Sequence, residues 1–296
     1  MFQSLVSENS DGLKIYLNHL NAKKDSTPVF FYHVEKSGGI TFSNTLGFSL
    51  QSKNMHAYRI DIDEELERLK IHAPKLSLIS THSKFGVHSE LNLTKLRLVT
   101  FLREPFARVL SDYTYTCMRA SEKPSLEGFG KHFRQPRLHN LMTKQLCPLE
   151  YFEGASTQAF ENLKANFFAF GTSAHIDAML DLLITQFDLP NVLTARLNTT
   201  TPKYKLVADE FKEEVLELNS DDAKLFELVT KQPRIPTLEL PNEFVVDEST
   251  ILLHEFEKET KSLTSAKMYP TSAVYEAFSR AKASGVKLSI EMLMGK

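Results

Sequence analysis

Tryptophan is absent, cysteine occurs twice and glycine only 11 times in the 296 residues of this chain. Cys117 and Cys147 are too few for a disulfide framework and have no partner at metal-site spacing. They read as two free thiols in a reducing compartment. No apolar run reaches the roughly 18 residues that would span a membrane. Residues 1–9 hold no basic stretch followed by an apolar one, so no secretory leader is expected. An excess of charge of one sign is missing too: 35 Lys and Arg stand against 37 Asp and Glu, a formal net charge of -2. That balance excludes a protein that coats nucleic acid through bulk electrostatics, and no nucleic-acid partner is expected. The expectation is a cytoplasmic globular protein, since 42% hydrophobic and 24% charged residues also exclude extended disorder, collagen and coiled-coil arrays.

Strands and helices alternate along the chain. Residues 28–34 form an almost continuous apolar run, as a buried strand does. Residues 76–80, 96–102 and 166–171 read as three further strands. Between them, Thr41 to Leu50 places Phe42, Leu46 and Leu50 on one helical face. Residues 63–71 begin with acidic side chains, as helices do. Phe106 to Arg119 has helical spacing and opens at Pro105. Residues 156–165 and 173–187 complete the set. The alternation predicts an α/β protein with a mostly parallel sheet. Beyond Val207 the pattern turns helical. Residues 207–218 and 221–230 read as helices with solvated acidic faces, and 247–263 and 271–283 as two more.

Two segments carry chemistry. In the first, a strand runs into Val34-Glu35-Lys36-Ser37-Gly38-Gly39-Ile40-Thr41-Phe42 and then a helix. Adjacent glycines let backbone approach a ligand, and N–H groups at a helix start point at an anion. Lys36 adds a charge; Ser37 and Thr41 add hydroxyls. The pattern G-x-x-x-x-G-K-[ST] is absent, because the lysine precedes the glycines. Taken alone, the segment reads equally as an ordinary tight turn. In the second segment a strand delivers Arg103 at its carboxyl end, where open α/β sheets bind ligands. A helix then carries Ser111. An arginine fork and a hydroxyl suit a phosphate, and the two segments together read as a two-anion site.

These segments resemble the cofactor signatures of sulfotransferases that use 3'-phosphoadenosine-5'-phosphosulfate (PAPS), nearest to the heparan sulfate 2-O- and chondroitin-type carbohydrate branch and its bacterial relatives. Phe31 to Thr41 is similar to that branch's H-I-P-K-T-G-G-T-S loop, and Phe101 to Tyr113 to its F-R-D-P-x-x-R-x-x-S-x-Y element. Weaker similarity lies at His139 to Leu146, at Ala159 to Gly171, and at Asp247 to Phe256, where the family has a helix. The resemblance covers about residues 28–263. It implies one sulfotransferase domain over 1–296, with a P-loop-like three-layer fold, a central mostly parallel sheet flanked by helices, and a helical C-terminal part over 264–296. It assigns the 5'-phosphosulfate to Lys36, Ser37, Gly38, Gly39, Ile40, Thr41 and Phe42, and the 3'-phosphate to Arg103 and Ser111. Glu35, Ser37 and Ile40 depart from the family pattern, and Ile40 removes one hydroxyl. A segment near the adenine would correspond to Arg196 to Thr200, with Lys203 and Lys205 downstream.

Sulfuryl transfer needs a base, in-line positioning and a positive field at the leaving phosphate. Lys36 and backbone donors can supply that field, so no metal is expected and PAP is the product. His82, in Ser80-Thr81-His82-Ser83-Lys84-Phe85-Gly86, resembles the family's G-H-x-x-F-G histidine and is the candidate base beside catalytic Lys36. His88 is the second choice, His33 reads as a core histidine, and Glu35 as a solvated carboxylate. The implied acceptor is a hydroxyl, expected on a carbohydrate. The segment 128–149 has no acidic residue and carries Lys131, His132, Arg134, Arg137, His139 and Lys144. It would suit an anionic glycan, or is simply a solvated face. A homodimer is an option. A P-loop-type kinase using ATP and a catalytically silent nucleotide-binding protein are the competing readings.

Overall fold

The computed structural model describes residues 2–10, 12–19, 22–57, 63–148, 150–195, 202–238, 249–256 and 263–295. The strands are β1 (Leu13–Tyr16), β2 (Val29–Tyr32), β3 (Asn54–Ala57), β4 (Leu78–Thr81), β5 (Arg97–Leu102), β6 (Ala169–Thr172), β7 (Asn191–Ala195), β8 (Thr250–Phe256) and β9 (Leu263–Pro270). The helices are α1 (Phe2–Glu8), α2 (Gly39–Leu50), α3 (Asp63–His72), α4 (Pro105–Ala120), α5 (Leu126–Phe133), α6 (Leu141–Leu146), α7 (Ser156–Asn166), α8 (Ile176–Gln186), α9 (Lys212–Leu218), α10 (Ser220–Lys231), α11 (Thr271–Ser284) and α12 (Ile290–Met294).

Strands β2 to β6 make a fully parallel sheet in the order β3-β4-β2-β5-β6. All four residues of β2 are buried, and their alternation feeds two cores. Phe30 and Tyr32 join Leu69 of α3, Met142 of α6, Leu163 of α7 and Leu225 of α10. Val29 and Phe31 join Phe42 and Leu46 of α2 and Ile176 and Leu180 of α8. The expected helix–sheet–helix layering is present. Strand β2, first of the five in sequence, lies in the middle with β4 on one side and β5 on the other. Connections therefore leave it in opposite directions, and a crevice opens at the carboxyl ends of β2, β4 and β5.

A second sheet, in the order β1-β7-β8-β9, was not anticipated. Only β7 and β8 are parallel in it. Tyr16 and Val192 on one of its faces pack onto α2 and α8. Leu13, Ile15, Leu193, Ile251 and Leu253 on the other pack against Phe2, Phe278 and Ile290 of the terminal helices. Helices α2 and α8 are thus held between two sheets. The helix expected over 247–263 is not formed: residues 250–256 are β8 and residues 263–270 are β9, with 247–248 and 257–262 outside the described residues. Ile251-Leu252-Leu253 is too short an apolar run to separate strand from buried helix by periodicity, and pairing with β7 and β9 decides it. The C-terminal part accordingly begins with a strand before α11 and α12.

The acidic start of α10 is a second correction. Asp221 and Asp222 are buried rather than solvated. Asp222 accepts from the backbone N–H of Met142 and Thr143 at 3.1 and 2.8 Å, and Asp221 from those of Gly154 and Ser156 at 3.1 and 3.3 Å. Each carboxylate satisfies donors at the start of a neighbouring helix, which have no intrahelical acceptor. The fully buried Arg108 of α4 lies 4.0 Å from Asp222 and donates to the Leu138 carbonyl at 2.8 Å.

Candidate active site

The loop after β2 enters α2 through two left-handed residues, Lys36 (φ 64°) and Gly38 (φ 87°). Gly38 makes that conformation cheap; at Lys36 it is uncommon. Gly39 has a different reason to be glycine. A Cβ there would stand 2.0 Å from Cδ2 of His33. The His33 ring occupies the space a side chain would need, stacked on Phe31 and 4.3 Å from the His82 ring. Ser37 and Thr41 each hold a hydroxyl oxygen that is buried without a hydrogen-bond partner. Buried polar atoms normally have partners, so two such hydroxyls beside the start of α2 fit an anion.

Arg103 follows β5 directly, and its Nη1 donates to the Lys36 carbonyl at 3.1 Å. Helix α4 then starts at Pro105. Glu104 caps it by accepting from the N–H of Phe106 and Ala107 at 3.2 and 2.7 Å. The apolar stripe Phe106, Val109, Tyr113 and Cys117 packs with Phe129 and Phe133 of α5. On another face, Ser111, Tyr115 and Arg119 recur at four-residue spacing and line a cavity of about 1250 Å³. The Lys36 ammonium lies 3.6 Å from the Tyr115 ring centroid. Asp112 accepts from His132 Nε2 at 2.9 Å. Burial alone would raise the Asp112 carboxyl, but the His132 bond and the charges of His132, Lys36 and Arg108 hold it below the usual range.

The same cavity is lined by Lys36, Gly38, Gly39, Ile40, Thr41, His82, Arg103 and Ser111. These residues come from three loops and two helices, α2 and α4, yet the carboxyl edge of one sheet gathers them. Ser37 is buried and does not line the cavity. Phe42 is not brought in: its ring lies in the core 4.6 Å from Phe31 and 5.4 Å from Phe101. His82 Nδ1 donates to the His33 carbonyl at 2.6 Å. A carbonyl only accepts, so the neutral ring carries its proton on Nδ1 and its lone pair on Nε2. Burial pulls the His82 pKa below the ordinary value, with Lys36 adding to this and Glu35 opposing it.

His88 is placed elsewhere. It shares a hydrogen bond with Tyr32 Oη at 2.6 Å and packs on Phe85, and it does not line the cavity. Glu35 does line it. The basic segment is not one continuous face. Lys131 pairs with Glu127, Arg134 grips Glu214 with two bonds, His132 is buried against Asp112, and Lys144 lies over Tyr151. Glu127 and Glu214 lie outside the segment in sequence and neutralise it in space. Arg137 alone of the six lines the cavity. Arg196 to Thr200 lie outside the described residues. Among the described residues no group of three His, Cys, Asp or Glu could hold a metal ion.

Sequence reasoning passed over Tyr115 and Asp112, and counted His132 only as part of the basic segment. The four-residue spacing from Ser111 to Tyr115 was the available signal for the first. It also passed over Lys14, Tyr16 and Asp177, which line the cavity from the second sheet and α8. Lys14 is ion-paired to Asp177, and Tyr16 Oη donates to the same carboxylate at 2.9 Å. Nothing in their local sequence joins them.

The fold and the cavity define an α/β protein that gathers cationic and hydroxyl side chains at the carboxyl edge of a parallel sheet. The family model described as the sulfotransferase family matches residues 19–228, and the chain belongs to that family. It is 27% identical over 161 residues to a protein-tyrosine sulfotransferase of Arabidopsis thaliana. That match covers 50% of this chain and 30% of the relative's length.

Proposed function

We propose that the protein transfers a sulfuryl group from PAPS to an acceptor hydroxyl, with His82 as general base. The reading is carried by one observation: Ser37 in the loop and Thr41 in the first turn of α2 hold buried hydroxyl oxygens without partners, next to a lysine whose carbonyl is fastened to Arg103. In this reading Lys36, Ser37, Thr41 and the first N–H groups of α2 hold the phosphosulfate, and Arg103 and Ser111 hold the 3'-phosphate. The donor supplies the sulfuryl group. His82 takes the acceptor proton at Nε2, and its Nδ1–H stays fixed on the His33 carbonyl. Lys36 stabilises charge at the leaving phosphate.

The proposed acceptor is a carbohydrate hydroxyl. A second reading, a tyrosine hydroxyl on a protein, is favoured by the name of the Arabidopsis relative. Arg119 and Arg137 line the cavity and have no carboxylate partner among the described residues, which suits an anionic acceptor of either kind. A cytoplasmic location belongs to the proposal too, supported by the unbridged thiols of Cys117 and Cys147.

The test is label transfer. The protein is incubated with sulfur-labelled PAPS or phosphorus-labelled ATP and a panel of neutral glycans, anionic glycans and tyrosine peptides. Label from PAPS on a glycan supports the first reading, and label on a peptide moves the acceptor to the second. Transfer from ATP alone would make the protein a kinase and overturn both.

A further inference from the structure

Lys36 is the one lysine in the loop after β2, and both of its ends are engaged. Its backbone is in the left-handed region with its carbonyl bound by Arg103. Its ammonium stands 3.6 Å from the centre of the Tyr115 ring. We propose that Tyr115 is a positioning residue for Lys36, its ring face fixing where the ammonium stands when the sulfuryl donor binds. This rests on the donor reading above.

A lysine side chain is a point charge on a flexible four-carbon stem, so a fixed backbone does not fix the charge. Something must hold the far end if the ammonium is to meet an anion in one place. The distance falls well inside the roughly 6 Å over which an aromatic face attracts a cation. An aromatic face also does this without adding a formal negative charge. A carboxylate in the same position would neutralise the ammonium and compete with an anionic donor. The nearby carboxylate of Asp112 accepts a bond from His132 at 2.9 Å.

The ring is itself well mounted. Tyr115 lies four residues after Ser111 on the cavity face of α4, a helix anchored on its apolar face by Phe106, Val109, Tyr113 and Cys117. Helix α4 follows Arg103 directly. One strand–helix unit therefore engages Lys36 twice, at its carbonyl through Arg103 and at its ammonium through Tyr115. The phenol oxygen has no part in this, so phenylalanine should serve as well as tyrosine and an aliphatic residue should not.

The experiment is calorimetric titration of PAP into the full chain, unaltered and as Tyr115→Phe, Tyr115→Leu, Lys36→Met and Lys36→Met/Tyr115→Leu. Tyr115→Leu should weaken binding about three- to thirtyfold, Tyr115→Phe should rescue it, and the leucine should add nothing in the Lys36→Met background. If Tyr115→Leu lowers the melting temperature, Tyr115→Met, flexible and ringless, takes its place. A second readout needs no ligand: acylation of the Lys36 amine, followed by peptide mass spectrometry, should be faster in Tyr115→Leu than in Tyr115→Phe. Full affinity in Tyr115→Leu, or an equal loss with and without Lys36, overturns the role of Tyr115 while leaving the donor reading intact. No PAP binding by the unaltered protein overturns the donor reading and the positioning role with it.

Discussion

Arg103 Nη1 donates to the backbone carbonyl of Lys36 across 3.1 Å. The two residues are distant in sequence and leave adjacent strands, β5 and β2, at the same edge of the sheet. The bond joins the two cavity-lining segments into one unit, so neither is independent of the other.

Arg103→Ala should therefore act twice, by removing a charge and by releasing the Lys36 backbone. Loss of a hydrogen bond to a charged group costs about 1.5–3 kcal/mol, so PAP affinity should fall about ten- to hundredfold. Arg103→Lys should recover only part, because an ammonium lacks the planar fork. Calorimetry showing unchanged PAP affinity in Arg103→Ala would remove Arg103 from the site.

His82→Ala should lower turnover about 10²- to 10⁴-fold and leave PAP affinity nearly unchanged. The pH dependence has a definite sign. The base must be neutral, and burial draws the His82 pKa below 6.5. Activity should rise with pH through a midpoint below that value and be level by neutrality. An acidic limb centred above 6.5, or one that persists in His82→Ala, would move the base to another residue.

Gly39→Ala places a Cβ about where the His33 ring already is. Overpacking of this kind costs about 1–3 kcal/mol, so the melting temperature should fall. His33→Ala in the same chain should restore much of it, since it removes the ring that the new methyl meets. A stable Gly39→Ala that is no more stable after the second change would show that the ring moves aside freely.

Arg108 and Asp222 are both fully buried. Arg108→Met leaves Asp222 without its cationic partner, and removing one member of a buried pair costs about 3–5 kcal/mol. The double variant Arg108→Met/Asp222→Leu should be less destabilised than the sum of the two single changes. Strict additivity in urea unfolding would mean that the two groups do not interact.

Four strands of the parallel sheet, β2, β4, β5 and β6, were legible because their apolar runs are bounded by turn residues, and glycines and Pro105 mark where α2 and α4 begin; β3 (Asn54–Ala57), which has no apolar run, was not anticipated. The site loops were legible for the same reason: Lys36 and Arg103 follow strands, and strand ends at the carboxyl edge are where such folds bind ligands. The second sheet was not legible. Its strands β1 and β7 are four and five residues long, and β8 has an apolar run that a helix would share. The burial of Asp221 and Asp222 was not legible either, because a carboxylate at a helix start reads as solvated until the helix ends packed against it are known.

The order of residues by itself determined the α/β alternation, which loops follow the strands at the candidate site, and the position of His82 after a strand. Local spacing carries those facts, since a period of two or of 3.6 is written residue by residue. Tertiary structure alone decided which partner each cation meets. Glu127 and Glu214 neutralise Lys131 and Arg134, whereas Lys36 meets an aromatic face and Arg103 a carbonyl. The reason is physical: an ion pair depends on distance in space, and partners as far apart as Arg134 and Glu214 are brought together only by packing.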